Sequence, residues 1–91
     1  MTVSVPEESS EVVFATIQKE ILRLKKKIES LLQKLQKYEK QYKMTSEEFI
    51  TKFDKGKLGD EEVFFEWYAD IKTLREVQKK LQLLEKVKLD L

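Results

Sequence analysis

The residues with the clearest capacity for chemistry are three carboxylates, Glu62, Glu66 and Asp70, spaced every four residues. On a helix that spacing sets them along one side. Such a ladder offers oxygen ligands to a divalent cation. The 91-residue chain has no histidine and no cysteine, and no second carboxylate helix is in view to complete a site. The absence of both residue types excludes a thiol nucleophile, a Cys/His zinc site, a His- or Cys-ligated haem and a Ser-His-Asp triad. A solvated acidic face is therefore the expected role of the ladder, and no catalytic residue, metal or cofactor is expected.

Two further motifs touch nucleic-acid chemistry. Gly56-Lys57-Leu58-Gly59 matches the GXXG loop that clamps single-stranded RNA, but that loop needs flanking strands and none is predicted here. Arg23-Leu24-Lys25-Lys26-Lys27 can neutralise phosphates, yet with no Asn and a single Arg it lacks a set of side chains that reads base edges. Thr2-Val3-Ser4-Val5-Pro6-Glu7-Glu8 resembles the opening of ribbon-helix-helix repressors, which would make Thr2 and Ser4 base contacts. A helix break should follow soon after in that family, whereas the helical pattern here continues to Tyr42. A frayed tail is the simpler expectation for residues 1–9.

The elements that carry these residues are helices. The composition is 41% hydrophobic and 38% charged, with only two glycines and one proline, too few to turn the corners of a sandwich or a doubly wound sheet. Apolar residues fall at Phe14, Ile17, Ile21, Leu24, Ile28, Leu31, Leu35, Tyr38 and Tyr42, in steps of three and four. This heptad stripe predicts a left-handed coiled coil over residues 10–43. Ile at a and Leu at d favour two parallel strands, with Glu20 facing Lys25 and Lys34 facing Glu39 across a homodimer. Ile17, Ile21, Leu24, Ile28, Leu31, Leu35 and Tyr38 are the expected oligomerisation residues. Leu22 and Leu32 widen the stripe, and an intramolecular or antiparallel pairing stays open because the last helix also needs a partner.

Thr45 predicts a helix cap, with Glu48 returning a bond to its backbone and Met44 stapled to Phe49. A short helix over 46–55 follows. Gly56 supplies a left-handed stop, Gly59 turns the chain again, and Asp60 is expected to cap a last helix over 61–88. That helix carries Val63, Phe64, Trp67, Ile71, Leu74, Val77, Leu81 and Leu84 at helical spacing. The expected architecture is all-α: a tail over 1–9 and one helical domain over 10–91, arranged as a hairpin or a dimeric bundle. Phe49, Phe53, Phe65, Trp67 and Tyr68 form either a local core or a partner-binding surface, since aromatic residues dominate both.

Charge is distributed in blocks beneath a net of +1. Residues 19–43 hold nine bases and three acids, while 44–70 hold three bases and eight acids. Such blocks steer a charged partner or attract each other. No run approaches the ~18 apolar residues of a membrane span. Met1 to Ala15 has acids at Glu7, Glu8 and Glu11 where a secretory signal needs an apolar run, so a cytoplasmic location is expected.

The order of the basic heptad helix, Met44-Thr45-Ser46-Glu47-Glu48-Phe49, Phe53, Gly56-Lys57-Leu58-Gly59-Asp60 and Phe65-Glu66-Trp67 resembles small coiled-coil antitoxin-like or accessory proteins of cyanobacterial and archaeal toxin–antitoxin pairs. The resemblance covers about residues 15–80. It implies a non-enzymatic, dimeric protein that binds a cognate toxin, with the aromatic hook in contact with that partner. An acidic, aromatic segment suits a basic toxin surface. Two alternatives stand beside it: a nucleic-acid-binding protein, and a purely structural homo-oligomer.

Overall fold

The computed structural model describes residues 7–91, and their side chains from Ser10 onward. Three helices follow one another: α1 (Glu7–Tyr42), α2 (Ser46–Asp54) and α3 (Glu62–Leu89). The all-α class and the long–short–long order are as the periodicity predicts. Helix α1 begins three residues before the expected start, because Glu7 and Glu8 suit the positive end of a helix dipole. The tail expected over 1–9 is thus helical from Glu7. Thr2 and Ser4 lie outside the described residues.

Helix α1 ends without Gly or Pro. Lys43 takes a left-handed conformation at φ 53°, and the Met44 N–H donates to the Glu39 carbonyl at 3.3 Å. This six-to-one bond is the mark of a Schellman stop, which usually employs glycine. Thr45 then caps α2, its Oγ1 accepting from the Glu48 N–H at 3.1 Å. The reciprocal bond expected from the Thr45 N–H to Glu48 does not form among the described residues, and a different donor of α2 is met from the preceding helix. Glu39 Oε2 accepts the Ser46 N–H at 2.7 Å, so a carboxylate at the end of α1 satisfies a free donor of α2.

Gly56, at φ 67°, ends α2 as expected. Lys57 N–H donates to Lys52 and Gly56 N–H to Phe53, both at 3.0 Å, which completes a second Schellman stop. The cap of α3 differs from expectation. Glu61, rather than Asp60, holds the capping position, and its side chain makes no capping bond. Packing sets this start: Phe64 must be buried one turn later, and its N–H donates to the Glu61 carbonyl at 3.0 Å.

Helices α1 and α3 run antiparallel. Glu20 meets Lys80 at 3.7 Å, Lys34 meets Asp70 at 3.1 Å, and Phe14 lies under Lys88. The heptad stripe is therefore covered within the chain. Ile21, Leu24, Leu35 and Tyr38 are buried, as are Phe64, Trp67, Ile71, Leu74 and Val77 of α3. Ile17, Ile28 and Leu31 are half-buried on the same stripe. In the hairpin the seam takes the antiparallel, intramolecular pairing that the sequence left open beside the parallel one. Three of the four charges assigned across a parallel dimer are engaged in cis: Glu20 with Arg23 and Lys80, Lys34 with Asp70, and Glu39 with the Ser46 amide. A heptad pattern states that a seam must be covered; chain connectivity puts α3 at high effective concentration beside it.

The hairpin is long and thin. Its radius of gyration is 18.5 Å, against roughly 12 Å for a compact domain of this length. Each long helix buries one stripe and leaves its remaining faces to solvent. Among the described residues no helix is long and apolar enough to cross a membrane.

Candidate functional site

The closed end of the hairpin gathers most of the aromatic residues. Trp67, at the first buried turn of α3, is 0% exposed. Its ring stacks on Phe49 of α2 at 3.9 Å and 9°, with Tyr38 at 5.4 Å and Tyr42 at 5.8 Å. Its Nε1–H donates to Ser46 Oγ at 3.0 Å. Phe64 completes the cluster, edge-on to Tyr42. A buried indole needs both an apolar slot and an acceptor, and α2 supplies the two together. The short helix is thus fastened by Phe49 from its core side and by Ser46 at its first residue.

The five aromatic residues considered for partner binding fall into two groups. Phe49 and Trp67 are fully buried and cannot meet a partner in the folded chain; they are core. Phe53 and Tyr68 are half-buried and stack at 4.9 Å. Phe65 is 52% exposed, set edge-on to Phe53 at 5.4 Å and 88°. Lys72 Nζ lies 5.2 Å from the Tyr68 ring. Phe53, Phe65 and Tyr68 therefore form an outward aromatic patch supported from beneath by the core. Glu61 and Glu62 lie one turn before Phe65, Glu66 follows it, and Asp54 follows Phe53. Acids thus neighbour Phe53 and Phe65 along the two helices, while Lys72 lies over the Tyr68 edge.

Electrostatics fix the back of this end. Tyr38 Oη donates to Asp70 Oδ2 at 3.1 Å, and Lys34 Nζ reaches the same oxygen at 3.1 Å. Burial, then the bond to Asp70, raises the Tyr38 phenol above its usual value. The bond to Asp70 likewise raises Lys34. Asp70 is thereby withdrawn from the Glu62–Glu66–Asp70 ladder and serves as an interhelical tie. Among the bases of the Arg23–Lys27 run, Arg23 is committed to Glu20; that hydrogen bond lowers the Glu20 carboxyl and raises the guanidinium.

Two open clefts flank the α1–α2 junction. One of about 400 Å³ is lined by Gln36, Lys40, Met44 and Glu48, and a neighbour of about 460 Å³ by Leu32, Leu35, Gln36 and Leu74. Neither encloses a small molecule. A third cleft, of about 260 Å³, lies at the far end of the same side, between Gln18, Ile21, Lys25, Glu85 and Leu89.

Sequence reasoning missed three of the residues that build this end. Lys43 carries no signal for a left-handed stop. Glu39 and Ser46 take their partners from other helices, which no local pattern shows. Comparison with protein-family models, curated proteins and solved structures gives no match.

Proposed function

We propose that this chain is a non-enzymatic protein–protein interaction module, antitoxin-like in kind, whose closed end covers a basic surface of a small partner protein. The observation that supports the reading is Phe65: a large ring half exposed, held edge-on against Phe53, with Glu61 and Glu62 one turn before it and Asp54 next to Phe53. A rigid aromatic anchor with acids nearby has the anatomy of an interface hot spot, with the charges setting orientation and on-rate. The net charge of −5 over residues 44–70 suits a cationic partner.

The test is calorimetric titration of the chain with the product of the neighbouring gene, which the reading expects to be a small basic protein. Stoichiometric binding, weakened at least tenfold by Phe65→Ser and reduced by salt, supports the reading. No binding, or binding indifferent to Phe65→Ser, overturns it. Salt-dependent binding to DNA or RNA through the lysines of α1 would instead favour the nucleic-acid alternative.

A further inference from the structure

One side of α1 carries a second stripe, distinct from the buried seam: Gln18, Leu22, Lys25, Glu29, Leu32 and Gln36. The steps are 4, 3, 4, 3, 4, so these residues share a flank of the helix. Leu22 is 51% and Leu32 45% exposed. Neither Lys25 nor Glu29 joins an ion pair among the described residues, unlike Glu20, Arg23 and Lys34 nearby. Gln18 Oε1 is inaccessible to solvent, and no donor among the described residues reaches it.

The stripe is a palindrome in both spacing and chemistry. Reversed about Lys27, Gln18 falls on Gln36, Leu22 on Leu32, and Lys25 on Glu29. An isologous two-fold interface requires that residue i meet j while j meets i. From this stripe we infer that a second copy of the chain docks on this flank, α1 antiparallel to α1. Each leucine then meets a leucine, each lysine a glutamate, and each Gln18 a Gln36. The clefts at the two ends of the flank, one holding Gln18 and the other Gln36, face each other in the pair.

Apart from Phe65 at the closed end, the exposed apolar residues offer shorter stretches, such as Leu83 and Val87 one turn apart on α3. At the open end Val12 and Val13 point about 100° apart around α1. They form no single stripe with Leu83 or Leu89.

The contact runs from Gln18 to Gln36, about 27 Å of helix. One helix flank of that length lies at the low end of specific interfaces, so the dimer dissociates on dilution. This pairing does not depend on the closed-end partner, and both aromatic patches stay free in it.

The test is sedimentation over a range from micromolar to millimolar chain. A reversible monomer–dimer equilibrium is expected. Lys25→Glu alone, or Glu29→Lys alone, weakens it at least tenfold by placing like charges opposite. The double exchange restores it. Far-UV circular dichroism of each variant shows that the fold is retained. Because the chain has no cysteine, a mixture of Leu22→Cys and Leu32→Cys chains should oxidise to a cross-linked pair. Leu22→Cys alone should not, since its two copies lie about 15 Å apart along the helices. A chain monomeric at millimolar concentration overturns the pairing. So does a dimer that forms 22–22 cross-links or ignores the charge exchange.

Discussion

Replacing Trp67 by Ala should remove most of the stability of the chain. Truncating a fully buried Trp costs about 3–5 kcal/mol in cavity and transfer terms. Trp67 also stacks on Phe49, Tyr38 and Tyr42. Such pairs contribute ~0.5–1.5 kcal/mol beyond area. The bond to Ser46 adds about 1 kcal/mol. A loss near 5 kcal/mol compares with a total of about 5–14 kcal/mol for 91 residues. A thin hairpin with few buried residues belongs at the low end of that range. With a urea slope of about 1–1.5 kcal/mol/M, the midpoint falls by roughly 3 M or the transition disappears. The assay is urea denaturation followed by circular dichroism. Ser46→Ala, followed through the fluorescence of the single Trp, should cost only about 1 kcal/mol. A Trp67→Ala chain within about 1 kcal/mol of the parent would refute the argument, since no fully buried indole is removed so cheaply.

Other outcomes follow from single residues. Lys43→Gly should stabilise the chain by about 0.5–1 kcal/mol, seen as a higher midpoint, because glycine relieves the ~1–2 kcal/mol of a left-handed L-residue while losing part of that to backbone entropy. Thr45→Ala should cost about 1 kcal/mol by freeing the Glu48 N–H. The Tyr38 phenol, raised by burial and by Asp70, stabilises the fold fully below its unfolded value near 10, and that contribution is lost as pH rises through the higher folded value. Stability should thus fall above about pH 10, and Tyr38→Phe should flatten that fall in urea midpoints measured across the range.

The helices were legible because their signals are local. The three-and-four stepping of Phe14 to Tyr42 specifies a buried seam, and Thr45 and Gly56 mark the ends of α2 by side-chain and backbone chemistry alone. The partner of the seam was not legible. Ile at a and Leu at d describe a helix that will pair, and nothing in α1 says that α3 rather than another chain will cover it. The aromatic residues show the same division. Their spacing places them on one side of α2 and α3, but only the stacking of Trp67 on Phe49 separates core from surface and leaves Phe65 outside. Glu39 and Ser46 act across helices, so their roles exist only after the chain has folded back.

The most direct test of the hairpin is zero-length carbodiimide cross-linking of an equal mixture of light and ¹⁵N-labelled chain. The carboxylate–amine pairs Lys34–Asp70 and Glu20–Lys80 are in contact within one chain. Both links should form, with light joined to light and heavy to heavy, at every concentration. Mixed-isotope links between Glu20 and Lys25, or between Lys34 and Glu39, are those of a parallel coiled coil and would contradict the fold described for this chain.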